Sequence, residues 1–228
     1  MSKVFFSVTM SLDGFIAPEF MELGRPPEQW INEWMELQKY VFEQRFFREN
    51  LKLGDGGETG EDNRILEETF NRTGVSIMGK RMFDGGEISW PEEAPFHTPV
   101  FVLTKEVRRP WERPGGTTFH FVNDGIESAL RQAREVARGK DIRIAGGGHT
   151  IVQYLNAGLV DEFSLAVSPV LFGAGARLFE GVDKRAVSLA IVEAINSPMV
   201  THLRYAVRRV AIEAARADVA AVVTSTTK

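Results

Sequence analysis

A hydrophobic run, Asp141-Ile142-Arg143-Ile144-Ala145, leads straight into Gly146-Gly147-Gly148, and a helix-forming stretch from Thr150 to Ala157 follows. Consecutive glycines between a strand and a helix leave backbone N–H groups unobstructed by any Cβ. The helix N-terminus adds partial positive charge, so the pattern suits a phosphate or pyrophosphate. Taken alone, the triplet fits equally well a tight turn that binds nothing. No Gly-Lys-Ser/Thr follows it, and the Gly-x-Gly-x-x-Gly spacing of a dinucleotide turn after the first strand is absent. Two other apolar runs end in cations: Val75-Ser76-Ile77-Met78 runs into Gly79-Lys80-Arg81, and Pro99 to Thr104 runs into Lys105. In a parallel sheet ligands gather at the carboxyl ends of strands. A cation pair there suits a further phosphate, such as one on a nucleotide ribose. Each basic tip alone reads as a solvated surface charge; the coincidence of three favours a site.

Other chemistries find less support. His97, His120, His149 and His202 show no short metal-ligand spacing, and with no cysteine a thiolate zinc site or a disulfide framework is impossible. No metal site is expected. No Gly-x-Ser-x-Gly elbow occurs. The net charge of -4 does not point to a nucleic-acid binder, though it leaves room for a local basic patch. No stretch reaches a membrane span, and Thr9, Ser11 and Asp13 interrupt the N-terminal apolar run, so that run reads as a first strand rather than a signal peptide. The expectation is a cytoplasmic protein with a small-molecule substrate, no nucleic-acid partner and no membrane partner.

The elements that must position the three strand tips are legible in the 228 residues, whose 43% hydrophobic and 25% charged content is that of a globular domain. Residues 3–9 read as a buried strand closed by Asp13-Gly14. Pro26-Pro27 opens a long helical stretch to about residue 50. Its aromatic load (Trp30, Trp34, Tyr40, Phe42, Phe46, Phe47) suggests a helix packed on a sheet or, more sharply, a wall lining a substrate. Gly54 to Gly60 reads as a candidate mobile loop, and a helix over 61–72 follows. Strands are predicted at 75–78, 99–104, 117–122 and 141–145. A helix at 126–138 is capped from Asn123-Asp124-Gly125 and ended by Gly139. Phe163, Leu165 and Val167 alternate in a further strand, and the last pair spans about 187–195 and 200–210. Strands alternate with helices to residue 168 and then dominate. This predicts an α/β, three-layer αβα fold with a mostly parallel mixed sheet and an antiparallel C-terminal edge. The domain is expected over 1–210, with 211–228 as a flexible or appended tail.

The order Ser11-Leu12-Asp13-Gly14-Phe15-Ile16-Ala17, Ile77-Met78-Gly79-Lys80, Val102-Leu103-Thr104 and Gly146-Gly147-Gly148 resembles the dihydrofolate reductase superfamily. More closely it resembles the branch containing the reductase domain of bacterial riboflavin biosynthesis. Asn156 to Phe163, Ser168 to Gly173 and Arg177-Leu178-Phe179 look like that branch too, so the resemblance covers about residues 3–209. It implies an NADPH-dependent reductase that moves a hydride to a C=N or C=O of a small, flat heterocycle, and by analogy a homodimer. A flavin-type or deazaflavin cofactor is compatible with related pockets.

Carried over position by position, the resemblance implies that Gly146, Gly147 and Gly148 hold the pyrophosphate, with Thr150 beside it. Gly79 and Lys80, helped by Arg81, meet the adenosine ribose phosphates, and Leu103, Thr104 and Lys105 flank the adenosine end. Ile16 and Ala17 meet the nicotinamide, and Asp13 is the candidate catalytic group at the mouth of the site. The family's buried carboxylate on the helix after the first strand has no clear counterpart; Glu28, Glu33 and Glu36 are candidates by region alone. Pro18 to Gly74, where the substrate lies in relatives, departs most from the pattern. That leaves a second reading open, a binder of nucleotides or small molecules that kept the fold and lost the chemistry.

Overall fold

A computed structural model describes residues 2–22 and 24–209; the tail expected at 211–228, and with it the boundary at 210, lies outside the described residues. The chain runs through β1 (Val4–Ser11), β2 (Phe15–Pro18), α1 (Glu19–Glu22), α2 (Ile31–Glu43), α3 (Arg45–Asn50), α4 (Glu61–Arg72), β3 (Thr73–Gly79), α5 (Lys80–Glu87), β4 (Pro99–Leu103), β5 (Trp111–Glu112), β6 (Thr118–Val122), α6 (Ile126–Val136), β7 (Asp141–Gly146), α7 (Gly148–Asn156), β8 (Glu162–Ser168), β9 (Gly175–Arg177), β10 (Val187–Asn196) and β11 (Thr201–Arg209).

A nine-stranded sheet with the order β10-β11-β8-β1-β7-β3-β4-β6-β5 carries the fold, beside a two-stranded sheet of β2 and β9. From β8 through β6 neighbours are parallel. β11 and β10 add antiparallel at one edge and the short β5 at the other. The α/β fold, its mostly parallel sheet and its antiparallel C-terminal edge are therefore as the sequence predicts; β2, β5, β9 and α5 were not anticipated.

Strand alternation sorts the side chains into two layers. Val4, Phe6, Ile77, Ile142, Ile144 and Phe163 point to one face and bury against Ala129, Leu130 and Ala133 of α6 and Ile151, Tyr154 and Leu155 of α7. The other face is shared. α5 packs Phe83 onto Met78, Val100, Val102 and Phe119, while α2 packs Tyr40 and Val41 onto Ala166 and Val200. Beneath α2 and α4 the sheet is polar. Asp62 of α4 and His202 of β11 are both buried there and meet at 2.5 Å.

Two local expectations are corrected. The long helix to residue 50 is broken at Gln44, whose backbone turns extended and bridges to Glu58. Arg45 N donates to Glu58 O at 2.9 Å and Glu58 N to Glu43 O at 2.8 Å, so the glycine-rich segment before α4 is stitched to the helix it interrupts. The helix expected over 126–138 stops at Val136; at its start Gly125, of the expected Asn123-Asp124-Gly125 cap, is the capping residue, with φ 100° and no side-chain cap bond.

Candidate active site

The strand order brings the glycine tips together. β7 inserts between β1 and β3, and Met78 stands in register with Gly146 and Gly79 with Leu103, so the ends of β7, β3 and β4 form one row. Both β7 and β3 pass directly into helices. α7 starts at Gly148 and α5 at Lys80, with no side-chain cap on either. Two adjacent helix N-termini thus offer their uncapped N–H groups at one place, where anions are favoured.

Glycine is required there for packing as well as conformation. A Cβ on Gly79 would stand 2.5 Å from Thr150 Oγ1, and one on Gly148 would stand 3.0 Å from Ile16 Cδ1. Gly146 has φ 141°, and a Cβ there would meet Met82 Sδ at 2.9 Å. The Gly146–Gly147 peptide is cis. These approaches show how Gly79, Thr150, Gly146, Gly147, Gly148 and Ile16 come together from three separate parts of the chain. Ala17 follows on β2 opposite Ala176 of β9.

Two of the three basic groups at the tips, Lys80 and Arg81, are paired. Lys80 Nζ lies 2.5 Å from Asp84 and 3.4 Å from Glu106, and the Asp84 bond holds its ammonium above the usual lysine range. Arg81 reaches Glu22 at 2.5 Å and is well exposed. Thr104 Oγ1 accepts from Glu106 N at 3.0 Å, which fixes the turn that presents Glu106 to Lys80. Lys105 is exposed.

Asp13 is a tether. Its carboxylate accepts from Ser11 Oγ at 2.6 Å, from Phe172 N at 3.2 Å and from Gly173 N at 2.7 Å, while Arg177 Nη1 donates to its carbonyl at 3.2 Å. The Ser11 hydroxyl and the two amides hold its pKa below the ordinary carboxylate value, which favours an ionised acceptor over a proton donor. The bonds fasten the loop that carries Ile16 and Ala17 onto the segment leading into β9.

The substrate side was not legible. Glu28, Glu33 and Glu36 are exposed and point no carboxylate at the sheet. Sequence reasoning missed what the α2 and α4 layer buries: Thr9 Oγ1 bonded to Gln38 Oε1 at 2.9 Å, the Asp62–His202 pair, and Tyr40, whose hydroxyl burial pushes up to about 12. Thr9, Ala166 and His202 lie in one cross-strand row, so strand parity from β1 could have flagged Thr9, but nothing local pairs His202 with Asp62. Two concavities of about 450 and 200 Å³ lie elsewhere, against α6 and between α7 and β10, and neither includes a strand tip.

Residues 2–201 match the family of the RibD C-terminal domain. Over 65 residues the chain is 42% identical to the uncharacterized protein YyaP of Bacillus subtilis, a match that spans 28% of this chain and 34% of that one. Among solved structures it is similar to a putative riboflavin biosynthesis protein of Shewanella sp. PV-4, with TM-score 0.60 and 19% identity over 92% of this chain and 100% of the other. A diaminohydroxyphosphoribosylaminopyrimidine deaminase/5-amino-6-(5-phosphoribosylamino)uracil reductase of Thermotoga maritima superposes with TM-score 0.55 and 16% identity, over 91% of this chain and 57% of that one. The dihydrofolate reductase of Enterococcus faecalis, solved with NADP(H), superposes with TM-score 0.50 and 14% identity over 90% of this chain and 96% of that one. At these identities the structural likenesses establish the shared fold.

Proposed function

We propose that this chain, which belongs to the RibD C-terminal domain family, is an NADPH-dependent reductase that acts on a C=N or C=O bond of a small, flat substrate. One observation carries the reading: two uncapped helix N-termini and the Gly146–Gly148 turn converge beside Ile16, with glycine demanded at Gly79, Gly146 and Gly148 by the close approach of Thr150, Met82 and Ile16. Uncapped N–H groups at such a turn suit a dinucleotide pyrophosphate, and Gly147 has open space where a Cβ would stand.

In this reading Gly146, Gly147, Gly148 and Thr150 hold the pyrophosphate through backbone N–H groups and a hydroxyl. Gly79, Lys80, Arg81, Leu103, Thr104 and Lys105 receive the adenosine end, and Ile16 and Ala17 pack on the nicotinamide. NADPH, when bound, supplies the hydride. The chain supplies position: the Asp13 tether sets the height of the β1–β2 loop, and Ile16 against Gly148 keeps water from the reacting ring face. The proton that completes the reduction comes from solvent, since Asp13 is held as an acceptor. The same engagement of Asp13 favours a second reading, a nucleotide-binding protein without turnover.

Dialysed protein titrated with NADPH separates these readings. Fluorescence enhancement followed by oxidation with a panel of carbonyls and imines is the expected result. Binding without oxidation selects the second reading, and no binding at millimolar cofactor removes both. A homodimer is proposed from β10, which ends the sheet among the described residues and exposes Leu189, Ile191 and Val192. Sedimentation should then give twice the chain mass.

A further inference from the structure

One charge beneath the helices has no counter-charge. Arg143 stands on β7, in register with Phe5 of β1 and Ser76 of β3, on the face opposite Ile142 and Ile144 and therefore under α2 and α4. Its Nη2 makes a long bond to Ser7 O at 3.3 Å, and its Nε is sealed from solvent without any acceptor. Each carboxylate of this neighbourhood is already engaged. Asp62 is held by His202 at 2.5 Å, Asp141 by Arg72 at 2.7 Å, and Glu162 by Arg72 at 2.7 Å and Lys3 at 2.6 Å. Among the described residues no ion pair includes Arg143. The guanidinium lies 5.3 Å from the Phe70 ring, a contact that is attractive but offers its N–H groups no acceptor. Burial lowers its proton affinity. A half-buried guanidinium with a sealed, unbonded Nε and no counter-charge is costly, and such a group fits a place where a ligand completes it.

Its surroundings suit a flat ring. Phe70 of α4 meets Phe46 of α3 edge-on with centroids 5.3 Å apart, and Phe47 at 6.4 Å. Ser7 and Thr9 continue the polar floor along β1 toward the strand tips. From Arg143 to Gly146 the strand advances about 10 Å, the length of a bicyclic or substituted ring.

We propose that Arg143 anchors the substrate, its guanidinium binding an anionic oxygen on one edge of a flat heterocycle while the opposite edge faces the nicotinamide position beside Ile16 and Ala17. The inference rests on the reductase reading and deepens it, naming a planar anion as the substrate class.

The test uses full-length protein saturated with NADP⁺ and titrated with orotate, a planar heterocyclic carboxylate, and with uracil, its uncharged parent ring. Calorimetry and melting temperature are the readouts. Wild type should bind orotate at least about tenfold more tightly than uracil. Arg143→Met should abolish that preference, leave NADPH affinity within about twofold, and melt no lower than wild type, because the unpaired charge is gone. Arg143→Lys keeps the charge without the planar fork and should show an intermediate preference. Equal binding of orotate and uracil by wild type overturns the proposal. So does an Arg143→Met protein that fails to fold or melts lower while Arg143→Lys keeps the full wild-type preference, the signature of a structural arginine. Loss of NADPH binding in wild type refutes the reductase reading instead; intact NADPH binding without orotate preference refutes the anchor alone.

Discussion

The two ends of the parallel sheet treat charge in opposite ways. At the amino ends of β1, β7 and β8 the polar groups are paired. Lys3 N donates to Asp141 at 2.8 Å and Val4 N to Asp161 at 2.8 Å, while Arg72 spans Asp141 and Glu162 and Lys3 Nζ adds to Glu162. At the carboxyl ends the helix N-termini of α5 and α7 and the Gly146–Gly148 turn leave backbone donors uncapped. The first arrangement closes the fold on itself. The second leaves donors open, as the proposed cofactor site needs; glycine clears space at both ends, at Gly79 against Thr150 and at Gly74 against the Ala137 carbonyl.

The largest expected break in this contrast is Gly79→Val. The new side chain pushes Thr150 and the start of α7 out of place. Two charge-assisted bonds lost should cost about a hundredfold in NADPH affinity, measured by fluorescence titration. Arg72→Met strikes the other end and should do the reverse. It takes the shared cation from two partly buried carboxylates and leaves them only Lys3, so stability should fall by about 2 kcal/mol in urea unfolding, less than for a fully buried pair, with NADPH affinity unchanged. If Arg72→Met weakened cofactor binding as much as Gly79→Val, the two ends would not be separable.

Two smaller changes sharpen the ligand end. Lys80→Gln should weaken NADPH about tenfold and NADH far less, read from the ratio of dissociation constants. Because Glu106 competes for Lys80, Glu106→Gln should move that ratio the other way by a few-fold; equal shifts for both cofactors would show that neither residue meets the 2′-phosphate. Asp13→Asn should speed amide exchange at Phe172 and Gly173 by about tenfold at neutral pH. Since the folded pKa of Asp13 is depressed, its tether is at full strength above the ordinary carboxylate pKa and is lost as pH falls through the lowered value. The difference between wild type and variant should therefore shrink toward acid pH and persist toward alkaline pH.

Much of the ligand end was readable because its signals are local. Gly146-Gly147-Gly148 between an apolar run and a helix, and Gly79 before Lys80, are contiguous patterns whose backbone consequences need no distant partner. The helix expected over 61–72, after the glycine-rich segment, appears as α4. The substrate half was opaque because its features are not local. The break at Gln44 depends on Glu58, the burial of Asp62 on His202, and the isolation of Arg143 on Arg72 taking Asp141. Glu106 likewise changed the meaning of Lys80 from a free cation to a shared one.

The sequence by itself determined the α/β class, the succession of strands and helices, and which strand ends carry glycines and cations, since these follow from hydrophobic period and backbone propensity over a few residues. Only the tertiary structure decided that β7 lies between β1 and β3, so that Gly146 stands beside Gly79 and Ile16. It also decided which charges cancel and that Arg143 is left without a partner. The physical reason is range: propensity acts along the chain, whereas strand register and ion pairing are set by groups that the sequence holds far apart and the core brings within a few ångströms.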